Sequence, residues 1–343
     1  MSFNRIQEIP TPEETKERMP LSDDLIRRKA ERDREIRAIF ERKSDRLLVV
    51  IGPCSADQED AVCEYVSRLA RLQEELAERL LLVPRIYTNK PRTTGAGYKG
   101  MGHQPDPQKA PNIAEGIYAI RQMHIRSIRE SHLTAADEML YPGNFPYLED
   151  ILSYVAVGAR SVENQQHRLT ISGLNLPAGM KNPTGGDLSV MFNAIEAAQM
   201  PHIFIYNGWE VSTDGNPLTH AVLRGSVDIS GRSIPNYHYE DLIHVASLYE
   251  ERSFAHPSII VDTNHNNSGK QFEAQSRIGM EVMRSRKSSP ILRDMIRGLM
   301  VESYLVEGSQ VVENGVYGKS ITDPCLGWEA TEAFLKELAE LAA

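Results

Sequence analysis

The sequence predicts a (β/α)8 barrel with a helical N-terminal extension and an extra hairpin before the sixth barrel strand. From residue 46 onward, short apolar runs alternate with amphipathic helical stretches, which is typical of right-handed βαβ units around a parallel sheet. The runs are continuously apolar, as strands buried on both faces are. The first run is followed by IGPCSAD instead of a glycine-rich dinucleotide fingerprint, which disfavours a Rossmann fold.

Nine apolar runs are strand candidates, and they fit eight barrel strands plus one extra better than a six-stranded open sheet. The runs are 46–52, 81–87, 133–140, 155–159, 176–181, 202–206, 220–223, 258–262 and 298–304. Helical stretches are predicted at 58–79, 112–130, 161–172, 188–198, 239–251 and 271–286. We therefore divide the chain into a helical N-terminal extension, residues 1–45, and a barrel catalytic domain, residues 46–343.

The N-terminal extension is dense in charge and carries only a narrow apolar stripe. The stripe consists of Leu25, Ile26, Ile36, Ile39 and Phe40. It predicts one or two helices, which form either a solvated extension or an arm that docks on a neighbouring subunit. Because a narrow stripe cannot bury itself, it needs a surface on its own barrel or on a neighbour's.

Composition excludes several classes of protein. The 343 residues are 41% hydrophobic and 25% charged, as in an ordinary globular enzyme. The net charge is −9, from 38 basic against 47 acidic residues, which disfavours a nucleic-acid partner. No apolar run approaches the roughly 18 residues of a membrane span, and no secretory h-region is present. Three cysteines favour a reducing compartment, so we expect a cytoplasmic protein with no membrane partner.

Charged residues follow the apolar runs at the positions where a barrel builds its active site. Glu138 lies near the end of the third run. Guanidinium groups match phosphate and carboxylate oxygens, and Lys acts as a point charge. The number of cations therefore predicts a site for more than one anionic group. These cations are Arg85, Lys90, Arg92, Arg160, Lys181 and Arg224.

A second set of residues has the character of metal ligands. Cys54, His265, Glu302 and Asp323 follow or end four different runs. A thiolate, an imidazole and two carboxylates suit a borderline-soft divalent ion. The alternative is that Cys54 is a buried structural thiol and His265 a core or loop histidine.

Several motifs together resemble the type I, α class of 3-deoxy-D-arabino-heptulosonate 7-phosphate (DAHP) synthase, from about Leu47 to the C-terminus. The resemblance implies a (β/α)8 barrel that condenses phosphoenolpyruvate with erythrose 4-phosphate and water, giving DAHP and phosphate. This is the first step of the shikimate pathway. The motifs are GPCSAD (52–57), KPRTT (90–94), GAR (158–160), QHR (166–168), LRG (223–225), NHNNSGKQ (264–271), MVESYLVEG (300–308) and GKSITDPCLGW (318–328).

The resemblance also assigns roles. One divalent metal ion of the Mn, Fe, Co or Zn class would polarise the aldehyde oxygen. Lys90, His265 and Cys54 would be the catalytic residues, with Lys90 as a proton donor or electrostatic stabiliser. Glu138 would lie beside the phosphoenolpyruvate phosphate. The family forms homodimers or homotetramers. The implied metal ligands are Cys54, His265, Glu302 and Asp323; the phosphoenolpyruvate ligands are Arg85, Lys90, Arg160, Lys181 and Arg224; the erythrose 4-phosphate ligands are Pro91, Arg92 and Thr93.

Two other functions are open. A 3-deoxy-D-manno-octulosonate 8-phosphate synthase would take arabinose 5-phosphate, but KPRTT favours the four-carbon aldose phosphate. A catalytically idle regulatory barrel would have lost a metal ligand or an anion-binding Arg, and all are present. Stretches 140–148 and 206–216 depart from those of inhibited family members, with Tyr141 in place of an acidic residue. Feedback by phenylalanine, tyrosine, tryptophan or none is therefore open. In the metal-free chain we expect a Cys54–Cys325 disulfide.

Overall fold

Eight parallel strands form a barrel in the computed structural model, which describes residues 2–92 and 94–342. Neighbouring strands around the barrel are hydrogen-bonded to each other. A bridge between Arg85 and Ala136 joins the second strand to the third, which closes the barrel. The predicted fold is confirmed. The barrel strands are β1 (Leu47–Gly52), β2 (Leu80–Pro84), β3 (Ala136–Glu138), β4 (Tyr154–Val157), β5 (Ala178–Lys181), β8 (Thr219–Leu223), β11 (Ile259–Asp262) and β12 (Ile296–Glu302).

Helices cover the outside of the barrel. They are amphipathic, and they bury their apolar faces against the barrel while their polar faces point to solvent. Two of them, α9 and α10, lie outside the helical stretches that the sequence predicts. The helices are α1 (Pro12–Arg18), α2 (Asp23–Phe40), α3 (Glu59–Leu76), α4 (Ile113–Ser131), α5 (Gln165–Ser172), α6 (Leu188–Gln199), α7 (Tyr239–Glu250), α8 (Ala274–Ser288), α9 (Pro290–Met295) and α10 (Trp328–Ala342), with 3-10 helices at Pro142–Tyr147 and Val312–Asn314. No described helix is both long and apolar enough to cross a membrane.

The run at 202–206 is the extra strand. It forms β6 (His202–Tyr206), which pairs antiparallel with β7 (Trp209–Thr213) directly before the sixth barrel strand, β8. The predicted hairpin is therefore present. Two shorter pairings complete the strands: β9 (Ser226–Val227) with β10 (Ser233–Ile234), and β13 (Val306–Ser309) with β14 (Lys319–Ser320).

Helix α2 closes the N-terminal end of the barrel. Ile36, Ile39 and Phe40 are fully buried among side chains of the barrel interior, such as Leu48 and Val83. Of the alternatives predicted for the stripe, docking on its own barrel is therefore the one that this part adopts, and a solvated extension or a subunit-docking arm is wrong for it. The stripe is apolar because it caps its own barrel, and it needs no neighbouring subunit.

His220 is buried at this closed N-terminal end of the barrel, against Phe40 of α2. We expect it to make the free energy of unfolding depend on pH. Its ring centroid lies 4.4 Å from that of Phe40, and its Nε2 lies 2.8 Å from Tyr154 Oη. Burial lowers the pKa of His220 to about 4, against about 6.5 in an unfolded chain. The unfolded chain takes up this proton at a higher pH than the folded chain does, so protonation favours unfolding.

We expect His220 to cost about 2 kcal/mol of the free energy of unfolding as the pH falls from about 7 to about 5. The effect begins near pH 6.5 and is complete near pH 4. Urea denaturation of the wild type and of His220→Gln, at both pH values, measures it. The loss should be smaller in the variant, since other groups titrate equally in both chains. Equal losses would contradict this reading of His220.

Candidate active site

Each barrel strand delivers a predicted site residue at its carboxyl end. Lys181 and Glu302 are the last residues of β5 and β12, and Glu138 is the last residue of β3. Arg224 follows β8 directly, and Cys54 follows β1 by two residues. Because the carboxyl ends of the strands meet at one end of the barrel, these side chains share one site.

A cavity of about 310 Å³ opens at this end. Cys54 and Glu302 are more deeply buried, at 0% and 1% exposure. Thr93 lies outside the described residues. The predicted residues that line the cavity are Arg85, Lys90, Pro91, Arg92, Glu138, Arg160, Lys181, Arg224, His265 and Asp323.

Gly52 allows this arrangement, because β1 and β2 approach closely where they end. A Cβ atom at residue 52 would lie 2.3 Å from the backbone oxygen of Arg85. No side chain fits at that distance. Only glycine therefore fits at this position of GPCSAD. Its lack of a side chain lets the two strand ends approach, which places Cys54 and Arg85 side by side at the rim of the barrel.

Cys54, Glu302 and Asp323 form a compact group of possible metal ligands. One ligand atom from each lies within 4.8 Å of the others. Cys54 Sγ lies 3.3 Å from Asp323 Oδ2. A thiolate with two carboxylates is a donor set of mixed softness, which transition-metal ions of the Mn-to-Zn series accept. The spacing and the chemistry of these donors fit a divalent ion.

His265 borders this group. Its Nε2 lies 3.9 Å from Glu302 Oε1, and its Nδ1 lies 2.8 Å from Asp262 Oδ2. Burial alone would raise the pKa of Asp262, but His265 and Lys181 outweigh burial and hold it below its usual range. The buried Asp262 carboxylate lies against one ring nitrogen, and the other, Nε2, faces Glu302 from outside the compact group of three.

Lys90 sits against the same group. Its Nζ lies 2.6 Å from Cys54 Sγ and 3.1 Å from Asp323 Oδ2. Burial alone would lower the pKa of Lys90, but Cys54 and Asp323 raise it above its usual range. Burial, reinforced by the Glu302 carboxylate, raises the pKa of the Cys54 thiol to about 11. Lys90 is therefore a protonated amine beside the metal-ligand group.

Arg85 connects the ligand group to the cation-lined cavity. Its Nη2 donates to Glu302 Oε1 at 2.8 Å, and both side chains are 1% exposed. Its guanidinium carbon lies 3.7 Å from the ring centroid of Tyr87, and Lys181 Nζ lies 5.6 Å from the same centroid. An aromatic face next to two cations stabilises their charge. Each cation also has a carboxylate partner: Glu302 for Arg85, and Asp262, whose Oδ2 lies 3.5 Å from Lys181 Nζ.

Arg224 carries an unused donor on the cavity wall. The residue is 8% exposed, and its Nη1 is buried with no hydrogen-bond partner within residues 2–92 and 94–342. Burial lowers the pKa of Arg224, and the Arg160 charge lowers it further, while Asp262 opposes both. Buried charged donors are nearly always paired. An anion in the cavity would supply the missing acceptor.

Pro91 and Arg92 begin a long loop between β2 and α4. Arg92 Nε donates to the backbone carbonyl oxygen of Tyr98 at 2.8 Å, and the backbone N–H of Lys90 donates to the backbone carbonyl oxygen of Lys99 at 2.9 Å. The loop therefore folds back on itself and holds Arg92 at the cavity mouth. Lys90 lies at the metal-ligand group and Arg92 lies at the mouth, so neighbours in KPRTT face different parts of the site.

Three residues of the site were missed by sequence reasoning. Asp262 orients His265, Asn264 Nδ2 donates to Glu302 Oε2 at 2.6 Å, and Lys270 lines the cavity. A signal for Asp262 existed, because it is the acidic residue that ends a buried apolar run. Asn264 and Lys270 belong to NHNNSGKQ, where nothing in the spacing distinguishes them from ordinary loop residues.

Cys325 lies two residues beyond Asp323 and is fully buried. Its Sγ lies 3.5 Å from the backbone carbonyl oxygen of Asp323. The three cysteines of the chain, Cys54, Cys63 and Cys325, are free thiols. The disulfide between Cys54 and Cys325 in an oxidised, metal-free chain stays a prediction.

The stretch 206–216, which departs from that of inhibited family members, lines a separate groove of about 520 Å³, and the stretch 140–148 contributes no lining residue to it. The hairpin contributes Phe204 and Tyr206 to it, and the segment after α5 contributes Leu174. Tyr141 precedes the 3-10 helix Pro142–Tyr147 and is 46% exposed. Among the described residues, the groove shares no lining residue with the cation-lined cavity.

Comparisons with known proteins agree with one another. The family model described as "DAHP synthetase I family" matches residues 24–336. The chain is 38% identical to the Phe-sensitive phospho-2-dehydro-3-deoxyheptonate aldolase of Escherichia coli K12, covering 99% of this chain and 96% of that protein. It is 35% identical to a Trp-sensitive one from Escherichia coli O157:H7, covering 98% and 95%. A solved phospho-2-dehydro-3-deoxyheptonate aldolase from Francisella tularensis SCHU S4 superposes with a TM-score of 0.90 at 30% identity, covering 99% of this chain and 98% of that one.

Proposed function

Since this chain belongs to the DAHP synthetase I family and catalyses the first step of the shikimate pathway, we propose that the reaction takes place in the cation-lined cavity at the carboxyl ends of the barrel strands. The reaction joins phosphoenolpyruvate, erythrose 4-phosphate and water into DAHP and phosphate. The observation that carries the proposal is the unpaired, buried Nη1 of Arg224 on the cavity wall. A second substrate pair, as in 3-deoxy-D-manno-octulosonate 8-phosphate synthase, has no support among the relatives.

A divalent metal ion is the proposed cofactor. The family works with a metal, here an ion of the Mn, Fe, Co or Zn class. The residues that would hold it are Cys54, His265, Glu302 and Asp323. When bound, it supplies Lewis-acid polarisation of the aldehyde oxygen. Glu302 is held in place for this role by Arg85 and Asn264. Free thiols in the chain support a reducing, cytoplasmic setting, which keeps Cys54 available as a ligand.

Phosphoenolpyruvate is the anion proposed for the inner cavity. Arg85, Lys181 and Arg224 are buried cations, and Arg160 is an exposed one at the rim. They would hold its phosphate and carboxylate, with Glu138 beside the phosphate. Bringing two strongly anionic substrates face to face is opposed by repulsion, and fixed cations offset it more effectively in a buried site than water does.

Lys90 is the proposed proton donor. Its Nζ is protonated and lies against the metal-ligand group. When C3 of phosphoenolpyruvate forms a bond to the aldehyde carbon, the former aldehyde oxygen gains an electron pair. A proton from Lys90 converts that oxygen to the hydroxyl of the product. The C2–C3 π electrons of phosphoenolpyruvate have formed the new bond, so C2 is left with positive charge, and water adds there with loss of a proton. The resulting hemiketal phosphate loses its hydroxyl proton and expels phosphate by breaking the C2–O bond, which leaves the C2 ketone of DAHP. Cys54 and His265 contribute as ligands at the same point.

Arg92, with Pro91 and Thr93, is the proposed erythrose 4-phosphate contact, and this assignment is testable. We expect Arg92→Ala to raise KM for erythrose 4-phosphate by about 10-fold or more, because a charge-assisted contact contributes roughly 1.5–3 kcal/mol. KM for phosphoenolpyruvate should change little. Steady-state assays with each substrate varied measure both constants. Lys109→Ala, an exposed cation of the same loop, is the matched control. A change confined to phosphoenolpyruvate would overturn the division into two subsites.

We also propose a homodimer or homotetramer. The support comes from apolar side chains that the single chain leaves in solvent. On the hairpin, Ile203 and Ile205 are 75% and 77% exposed, and in the N-terminal segment Phe3 and Ile6 are 90% and 94% exposed. Large apolar groups clustered on one surface are typical of interfaces, and closed two-fold symmetry lets one patch meet its copy.

Light scattering at micromolar concentration should therefore give the mass of a dimer or tetramer. We expect Ile203→Glu with Ile205→Glu to lower that mass and to leave the chain folded, because both side chains already lie in solvent. Ile229→Glu, an exposed apolar residue elsewhere, should leave the mass unchanged. A full-length monomer would contradict the proposal. Deleting residues 1–40 is a poor test, because α2 closes the barrel and its loss would unfold the chain.

A further inference from the structure

A basic cavity of about 380 Å³ lies at the N-terminal end of the barrel, opposite the active-site cavity. Four elements meet there. Arg42 follows α2, Arg286 lies in the last turn of α8, Arg293 belongs to α9, and Arg297 is the second residue of β12. Lys287, Asp45 and Asp294 also line it.

The charge of this lining is opposite to that of the whole protein. Among the described residues, five cations and two carboxylates line the cavity, which gives these side chains a net charge of +3. The chain as a whole carries −9. A concentration of one sign in a concave surface raises the local concentration of ions of the other sign.

One carboxylate is already shared between two of the cations. Asp294 accepts a hydrogen bond from Arg42 Nε at 2.9 Å and another from Arg297 Nη2 at 2.9 Å. Arg42 Nη2 also donates to the Pro257 oxygen at 2.9 Å. Asp294 therefore holds these two guanidinium groups in position, and it has little capacity left for the others.

The other cations have unused donors. Arg286 Nε donates to the Ile296 oxygen at 3.1 Å. Among the described residues, Arg286, Lys287 and Arg293 have no ion pair within 4 Å, and the buried Nε of Arg297 has no hydrogen-bond partner. Arg297 is 5% exposed and Arg286 is 8% exposed. Burial of such groups is unfavourable unless an acceptor completes them.

Burial and repulsion between these positive charges lower the pKa of Arg286 and of Arg297. Burial lowers the pKa of Arg286, and the neighbouring Arg293 charge lowers it further. Burial also lowers the pKa of Arg297, with Arg42 and Arg286 acting in the same direction and Asp294 opposing them. Asp45 raises the pKa of both arginines and so offsets part of this effect. A bound anion would offset the remaining repulsion between the guanidinium groups.

We propose that this cavity is a second anion site, which takes the phosphoryl group of a small metabolite. Guanidinium forks pair bidentately with phosphate oxygens, and several of them together suit a dianion better than a single carboxylate. The volume exceeds that of a lone phosphate and leaves room for a small organic group. The bound anion would join α2, α8, α9 and β12, and so tighten the closed end of the barrel.

Pyrophosphate is the probe, titrated calorimetrically into the metal-free full-length chain. The wild type should bind two per chain, one at each end of the barrel. Lys287→Ala with Arg293→Ala should lose only the second site, with affinity there falling at least 10-fold, and kcat should be unchanged. Both residues are exposed, so the fold should survive. Arg160→Ala with Arg224→Ala should lose only the active-site event. Arg284→Ala, an exposed cation one turn earlier on α8, should retain both.

Hydrogen exchange locates the event. Pyrophosphate should slow exchange across residues 286–297 in the wild type and not in the Lys287/Arg293 double variant. Unchanged binding in that variant would overturn the proposal. So would a single binding event that only the Arg160/Arg224 variant removes, or binding of an acidic peptide without binding of pyrophosphate. Loss of the active-site event alone bears on the proposed function and leaves this second site standing.

Discussion

Cys54→Ser should abolish tight metal binding and lower kcat/KM by about 100-fold or more. Cys54 Sγ lies 3.3 Å from Asp323 Oδ2 and is fully buried among the proposed ligands. A neutral hydroxyl replaces a thiolate poorly, because it brings neither the negative charge nor the soft sulfur that the ion prefers. Metal content per chain after dialysis, measured by elemental analysis, is the primary readout, and activity is the second.

Cys63→Ser is the matched control for this variant. Cys63 is also buried, but it lies on α3 and away from the ligand group. It should retain one metal ion per chain and nearly full activity. Chelator treatment of the wild type should abolish activity, and one divalent ion per chain should restore it. A metal-free preparation with full activity, or a Cys54→Ser chain that keeps its metal, would contradict the ligand assignment.

Arg224→Ala should lower kcat/KM for phosphoenolpyruvate by about 10- to 150-fold. The estimate is one charge-assisted contact to a partly buried anion, roughly 1.5–3 kcal/mol. Removing Arg224 also removes an unpaired buried charge from the free enzyme. Resistance to unfolding should therefore stay the same or rise while binding weakens, which a residue of merely structural importance would not do.

Arg232→Ala tests whether any nearby positive charge would serve. Arg232 is exposed and does not line the cavity, so its loss should leave KM unchanged. The pair is measured by varying phosphoenolpyruvate at saturating erythrose 4-phosphate, together with urea denaturation. If Arg224→Ala bound phosphoenolpyruvate as well as the wild type does, the cation cluster would have to be reassigned.

The barrel and the end that carries the site were predictable from the sequence for a physical reason. Strands buried on both faces need continuous apolar runs, and parallel strands bring their carboxyl ends together. Cys54, Arg85 and Glu302 therefore could be placed at one rim before any distance was known. The close approach at Gly52 could not, because 2.3 Å from a virtual Cβ to the Arg85 oxygen depends on the pairing register.

The parts that sequence reasoning missed depend on which partner a side chain meets. The stripe of Ile36, Ile39 and Phe40 was recognised as apolar, but its target was not, since an apolar helix face fits a barrel floor and a neighbouring subunit equally well. Asp262 was visible only as the end of a strand. Its contact with His265, three residues later, depends on how the loop after β11 folds, and residue type alone does not distinguish Asp262 from an ordinary buried carboxylate.

Phosphate release from phosphoenolpyruvate by the metal-reconstituted enzyme, with erythrose 4-phosphate or arabinose 5-phosphate as the second substrate, distinguishes DAHP synthesis from the related eight-carbon condensation. We predict phosphate release with erythrose 4-phosphate, in equal amount to DAHP formed, and little with arabinose 5-phosphate. It should fall sharply in Arg224→Ala and not in Arg232→Ala. A preference for arabinose 5-phosphate, or equal rates in these two variants, would contradict the account of this cavity as the site of DAHP synthesis.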